Sequence, residues 1–233
     1  MPKKVLTSNG TSVSVYGTHG NTSSNTMRTQ LILTTAVLGV AGSLGASAQV
    51  YSVNAVGYIN VTVPANRLAL VANQLNAGGN RVSEVLAPAG DVTVFTYAAG
   101  AFTLNAYSLG EWANPNQVIG PGTAFFIKNE GATDITLTFV GEVPQGSLST
   151  ALAANLNLTA SQVPQAGKLV TDLKFPVADE DTVYKWDVAN QTYTLNAYSL
   201  GEWGSGEPTV GVGEGFWVQK SAAANWTRTF SVN

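Results

Sequence analysis

Apolar and polar residues alternate with a period of two along much of the chain. Between residues 59 and 63 the apolar residues alternate with Asn60 and Thr62, and residues 135–139 follow the same pattern. Such alternation predicts strands with one face toward a core and one toward water. Apolar or alternating runs bounded by Gly or Pro predict further strands at 68–72, 92–97, 102–107, 124–128 and 146–152.

Helical patterning is confined to two short segments, residues 81–86 and 168–173. The chain therefore reads as strands at short spacings with at most one short helix in each half. This arrangement predicts an all-β fold of mainly antiparallel sheets, folded into a sandwich or a small barrel.

A ten-residue string occurs twice in the chain. Residues 103–112 and residues 194–203 both read TLNAYSLGEW, ten identities at a shift of 91. The same shift aligns residues 119–127 with 210–218, while upstream the shift is 88 to 89, which places a small insertion near residues 179–181. The sequence thus predicts two homologous β repeats, at 49–142 and 143–233. Two copies are too few for a solenoid, so each is a small domain or half of a joint sandwich.

The first 48 residues have the organisation of an export leader. A basic residue, Arg28, precedes an apolar run at 31–41 and small residues up to Ala48, as in a secretory signal peptide cleaved after Ala48. The apolar run is shorter than the roughly 20 residues of a membrane span. Residues 1–26 have the polar composition of a disordered segment, so we expect the natural start at Met27. The mature protein is expected outside the cell or on its surface, without a membrane anchor.

Composition narrows the classes of partner. Only 11% of residues are charged against 45% hydrophobic, so neutral polar residues must cover the surface. The net charge of −3 becomes −6 once Lys3, Lys4 and Arg28 are removed with the leader. A nucleic-acid partner is not expected, because phosphate binding needs a basic surface. The chain has no cysteine, which excludes disulfides and thiolate metal sites.

Catalytic chemistry has few candidates. The one histidine, His19, lies in the leader, so the mature chain lacks Ser–His and Cys–His pairs and the usual transition-metal ligands. Glu111 and Glu202 suggest a glycosidase pair. They occupy equivalent positions in the two repeats, however, and an acid and a base need different environments. We therefore predict structural roles for both, no enzyme activity and no cofactor.

Two other motifs resemble ligand-binding loops but have simpler interpretations. The acidic run 179–181 has carboxylates suited to calcium, but it lacks the spacing of a calcium loop, which favours a solvated loop. The glycine-rich segments 120–122 and 211–215 resemble phosphate loops. Strand-like residues rather than a helix follow them, so we expect turns that need positive φ.

Aromatic residues of the duplicated string are the candidate binding surface. Exposed aromatic faces stack on sugar rings or pack against a partner protein. Their equivalent positions in both repeats favour packing in a core or an interface instead. The candidates are Tyr107, Trp112, Tyr198 and Trp203.

Several segments resemble known bacterial sequences. They are residues 56–61, the stretch LALVANQL at 68–75, the glycine-rich turn before Phe216 and the ending 226–233. In these segments the chain resembles exported, mostly uncharacterised proteins of Verrucomicrobia and related bacteria. The resemblance implies a bacterial envelope or extracellular setting, and it implies no activity and no functional residues.

These observations favour a non-catalytic extracellular structural protein that self-assembles head to tail into a fibre or surface layer. The alternative is a β module that binds a polysaccharide or a cell surface. An apolar, uncharged N-terminal extension beside an unprotected final strand recruits other chains by strand addition, and a repeated head-to-tail contact builds an open filament unless its rotation closes a ring. Residues 49–56 have the alternative of pairing within their own domain. The candidate assembly residues are Gln49, Val50, Tyr51, Ser52, Val53, Thr229, Phe230, Ser231 and Val232.

Overall fold

A computed structural model describes Val5–Ser8, Thr11–Tyr16 and residues 55–232. The first two segments form strands β1 (Val5–Ser8) and β2 (Thr11–Tyr16). They lie within the stretch for which composition predicts disorder. The predicted cleavage site and residues 49–53 lie outside the described residues.

Two similar series of strands make up residues 55–232. The first contains β3 (Val56–Val63), β4 (Leu68–Ala72), α1 (Val82–Val85), β5 (Val92–Ala98), β6 (Ala101–Ser108), β7 (Glu111–Trp112), β8 (Ala124–Asn129) and β9 (Ile135–Glu142). The second contains β10 (Gly146–Leu152), β11 (Asn155–Thr159), β12 (Gly167–Lys168), β13 (Thr182–Asp187), β14 (Thr192–Ser199), β15 (Glu202–Trp203), β16 (Thr209–Val210), β17 (Phe216–Lys220) and β18 (Ala224–Phe230).

Each half contains a five-stranded sheet and a pair of long strands, which we call its ribbon. In the first half the sheet order is β4-β8-β5-β6-β7, and β3 pairs with β9. In the second half the order is β11-β17-β13-β14-β15, β10 pairs with β18, and β12 and β16 form a separate short pair. β1 and β2 extend the β3–β9 ribbon to a four-stranded sheet of order β1-β2-β3-β9. All these strand pairs are antiparallel, so the predicted all-β antiparallel fold is confirmed.

The two predicted helical segments have different outcomes. Residues 82–85 form α1, inside the predicted 81–86. Residues 169–173 form turns, so a helix at 168–173 is wrong. The carboxylate of Glu207 accepts hydrogen bonds from the amides of Val170 and Thr171, and Asp172 accepts one from the amide of Lys168. Two of these amides are thus satisfied by a side chain 36 and 37 residues away, a tertiary contact that overrides the local helical pattern.

Each ribbon packs on one face of its own sheet. The inward residues of β9, such as Phe139, meet the inward residues of β8, and the Phe125 and Phe139 rings are 6.5 Å apart. In the second half Phe216 and Trp226 make the equivalent contact at 6.1 Å. The alternation in β9 follows from this geometry, because its other face is exposed.

The opposite faces of the two sheets pack against each other. Phe126 of β8 meets the edge of Trp186 with ring centroids 5.6 Å apart, and Tyr97 meets Trp217 at 4.7 Å. The Trp186 indole N–H also donates to the carbonyl of Leu68 at 2.8 Å. Burial on both faces explains why β4 and β8 are continuous apolar runs rather than alternating ones. The halves therefore share a core in addition to the core that each has of its own.

Each half has a glycine-rich loop that accepts a backbone hydrogen bond from the other half. The amide of Ala72 donates to the carbonyl of Gly213 at 2.9 Å, and the amide of Ala160 donates to the carbonyl of Gly122 at 3.2 Å. Both glycines have positive φ, +75° and +85°. A Cβ on Gly213 would lie 2.8 Å from Val61 of β3. The glycines of these loops thus provide both the turn and a close approach between the halves.

The close approach at Gly213 is testable with a matched control. Gly206 has a similar φ of +78° with open space where a Cβ would stand. We expect Gly206→Ala to cost about 1–2 kcal/mol of unfolding free energy from backbone strain. Gly213→Ala should cost about 1–3 kcal/mol more, because its methyl group collides with β3. Chemical denaturation of both variants measures the difference. Equal losses of unfolding free energy would show that the loop at Gly213 is not in close contact with β3.

Candidate functional site

The duplicated string forms the same hairpin in both halves. β6 and β7 are joined by Leu109 and Gly110, with φ of 53° and 86°, and β14 and β15 by Leu200 and Gly201, with φ of 53° and 83°. Two consecutive residues with positive φ make the tight turn that suits the twist of antiparallel strands. Leu109 stands 98% exposed at the tip, so the apolar residue of this turn contributes nothing to a core.

The four aromatic candidates pair across these hairpins. Tyr107 faces Trp112 and Tyr198 faces Trp203, each pair with ring centroids 5.1 Å apart. Trp112 is 9% exposed and belongs to the first core, and Trp203 is half-buried against the second. Trp112 therefore offers no face on which a sugar ring could stack. Each hairpin packs its tryptophan ring against the core of its own half.

The carboxylates of the hairpins remain at the surface. Glu111 and Glu202 are exposed and pair across the strands with Ser108 and Ser199. Residues 55–232 contain no group of three or more His, Asp or Glu side chains that would hold a metal ion. The distinctive features of this site are the packing of its aromatic rings and its strand edges, not its ionisable side chains.

The acidic run 179–181 is divided between two structural roles. Asp179 accepts a hydrogen bond from the amide of Gly201 at 3.1 Å and so fixes the tip of the second hairpin. Asp181 is fully buried and forms an ion pair with the equally buried Lys220 at the end of β17. Lys220 also donates to the carbonyl of Pro176 at 2.6 Å. The solvated loop that the sequence favoured is thus wrong for Asp181, whose partner lies 39 residues away in the chain.

Asp181 is held in its charged form. Burial by itself would raise the pKa of this carboxyl, but hydrogen bonds from Lys220 and from the amides of Ser221 and Ala178 outweigh it and hold the pKa below its usual value. The amides of Ala178 and Ser221 donate at 2.8 Å each. The ion pair therefore joins the residue before β13 to the end of β17. The insertion predicted near residues 179–181 is wrong, because the registers place the two extra residues of the second half in the β13–β14 turn at 188–191.

Two clefts lie along the seam between the halves. One, of about 570 Å³, lies between the β5–β6 turn and the segment 150–159, and uncharged residues line it. The other, of about 600 Å³, lies beside the loop 209–214 and contains the ion pair of Lys185 with Glu214 at 3.0 Å. Neither cleft brings together a pair of acidic side chains, so neither has the arrangement of a glycosidase.

The outer edges of β6 and β14 are open. β7 pairs only with Tyr107 and Ser108, and β15 only with Tyr198 and Ser199, so the first part of each long strand has no neighbour on its outer side among the described residues. The apolar side chains on these parts are exposed by 48% and 62% in β6 and by 43% and 64% in β14. They are Phe102, Leu104, Tyr193 and Leu195.

The backbone groups at these edges also point outward. The amide of Ala113 donates to the carbonyl of Ala106, and the amide of Gly204 donates to that of Ala197, both at 2.9 Å. In an antiparallel strand every second residue directs its N–H and C=O to the same side. Phe102 and Leu104 therefore direct their backbone groups away from β5, and Tyr193 and Leu195 direct theirs away from β13.

The terminal strand candidates lie in a different setting. Thr229 and Phe230 belong to β18 and pair with β10, Ser231 is exposed, and the Val232 amide donates to Gln145 at 2.9 Å. The exposed residues along β18 and after it are small or polar. The other candidates, Gln49 to Val53, lie outside the described residues. The sequence did not single out the open β6 and β14 edges, because the two-residue lengths of β7 and β15 are visible only in the structure.

Within the described part of the chain, no helix has the length and apolarity needed to cross a membrane. Comparison with protein-family models, with curated proteins and with solved structures gives no match to this chain.

The buried ion pair makes a prediction about stability and pH. Asp181→Asn leaves the Lys220 charge without its partner, and we expect a loss of about 3–5 kcal/mol in unfolding free energy near pH 7. The control Asp91→Asn changes an exposed carboxylate and should stay within about 0.5 kcal/mol of wild type.

Acid should reduce the difference between wild type and Asp181→Asn. The Asp181 pKa is lower in the folded state than the value of about 3.9 in an unfolded chain. Its contribution is therefore complete above that value and is lost as the pH falls through the lower folded pKa. Denaturant unfolding at several pH values between 7 and 2 measures this loss. A difference that is constant across the range would contradict the assignment.

Proposed function

We propose that this protein is an exported, non-catalytic structural protein whose copies associate with one another outside the cell. The observation that carries the proposal is the exposure of large apolar side chains at two separate strand edges of the folded chain. Contiguous exposed apolar surface and unpaired edges are features that monomeric proteins usually avoid.

The internal construction supports a role as a building block. The two halves share an aromatic core and exchange loop hydrogen bonds in both directions, which opposes movement of one half relative to the other. Enzymes and switches commonly require a mobile lid or hinge. A protein whose two halves are held rigidly together is better suited to transmitting force or to fixing the distance between neighbouring copies.

The surface chemistry supports the same role. Of the 233 residues only 25 carry a formal charge, so few charged side chains protect the strand edges from other chains. Association through such edges depends on apolar contact and backbone hydrogen bonds rather than on ion pairs. Salt should therefore have little effect on it.

The setting outside the cell rests on the leader sequence. Its basic residue, apolar run and small residues before Gln49 support export, and the resemblance to exported bacterial proteins points the same way. Head-to-tail contact through the terminal strands remains a hypothesis for the geometry of association.

Association of the mature chain, residues 49–233, tests the proposal. We expect light scattering to show a mass above that of a monomer that grows with protein concentration, and electron microscopy to show chains or sheets. The mass should change little between low and moderate salt, because the contacts are uncharged. A protein that stays monomeric at every concentration would contradict the proposal.

A further inference from the structure

We propose that the open edges of β6 and β14 are two equivalent contact sites through which one copy pairs with the next by strand addition. This inference rests on the proposed function and names the surface and the partner, a second copy of this chain. It replaces the terminal strands as the main contact.

The backbone supplies the hydrogen bonds of this contact. Phe102 and Leu104 direct their N–H and C=O groups to the open side of β6, and Tyr193 and Leu195 do the same on β14. An added antiparallel strand would satisfy these four groups at each edge, as in strand addition to a sheet edge.

The side chains supply the apolar part. Leu104 and Leu195 occupy equivalent positions and are exposed by 62% and 64%. Phe102 has one side against Trp217 of the shared core, with centroids 5.9 Å apart, and remains 48% exposed on the other. The exposed patch is thus continuous with the interface between the two halves.

A second copy is the occupant that this surface fits. The internal interface shows that this sheet face already packs against its counterpart from the other half. Residues 103–108 and 194–199 are identical, and β6 and β14 contain no charged residue, so like edges meet without charge repulsion. β18 lacks such a surface, because its exposed residues are small or polar.

The number of edges determines the form of the assembly. Each half of the described chain, residues 55–232, has one such edge, β6 or β14, so a copy can bind two neighbours through them. Repeated contacts of this kind extend into an open chain unless their rotation closes a ring. The duplication within the sequence therefore supplies the two contacts that a polymer needs.

Lysine substitutions at the edges test the inference. Leu104→Lys with Leu195→Lys places a charge on both edges, a device by which natural edge strands avoid pairing. We expect light scattering of the mature double variant to give the mass of a monomer. Each single variant keeps one working edge and should form nothing larger than a dimer.

The matched control makes the same chemical change away from the edges. Leu109→Lys with Leu200→Lys alters two almost fully exposed leucines at the hairpin tips and adds the same charge. This variant should polymerise like wild type. Loss of assembly in the control as well would attribute the effect to net charge and overturn the inference.

A proline pair separates backbone pairing from apolar contact. The N–H groups of Leu104 and Leu195 point outward, so proline there removes an edge donor and no bond of the sheet itself. Leu104→Pro with Leu195→Pro should be monomeric while circular dichroism shows an unchanged β spectrum.

The outcomes distinguish the two proposals. A wild-type protein without assembly would refute the proposed function. A wild type that assembles, together with lysine variants that also assemble, would retain the function and refute the edge contact. Deleting residues 49–54 should then abolish assembly if the terminal strands make the contact instead.

Discussion

The packing of one five-stranded sheet against the other is the interaction on which the rest of the structure depends. It buries the second face of strands whose first face already covers a core, and this explains the apolar runs in β4 and β8. The hydrogen bonds from Ala72 to Gly213 and from Ala160 to Gly122 then fix the seam at both ends. Without this packing, each half would expose an aromatic sheet face to water, at a cost of about 25 cal/mol per Å² of apolar surface.

The packing covers the faces of the sheets, but it leaves the outer edges of β6 and β14 without a neighbouring strand. β7 and β15 have only two residues each and cannot pair with the whole of the eight-residue strands beside them. Lys or Pro residues in an edge strand prevent pairing with other chains, but β6 and β14 contain neither residue. The exposed edges thus result from a two-residue strand that follows an eight-residue strand. The same arrangement is present in both halves, so the chain has one such edge in each.

The sequence predicts local structure well and long-range partners poorly. A continuous apolar run places β4 at its observed bounds and alternation places β10, because burial of two faces or of one face imposes these patterns. The same patterns cannot reveal that Gly213 lies against Val61, or that Asp181 pairs with Lys220, since neither contact leaves a periodic signal. The turns at 169–173 escaped prediction because carboxylates elsewhere in the chain satisfy their amides. Tertiary contacts of this kind commonly override local propensity.

Two similar halves in one chain can exchange strands during folding, and a buried polar position opposes this exchange. The end of β8 carries Asn129, a neutral residue whose amide donates to the carbonyls of Val63 and Thr133. The equivalent position at the end of β17 is Lys220, whose charge is balanced by Asp181. In the first half the position of Asp181, opposite the tyrosine nearest the hairpin tip, is occupied by Val92. If β17 took the place of β8, Lys220 would be buried without that carboxylate, which costs several kcal/mol. The difference between the halves thus favours correct pairing in a fold whose other features are nearly the same twice.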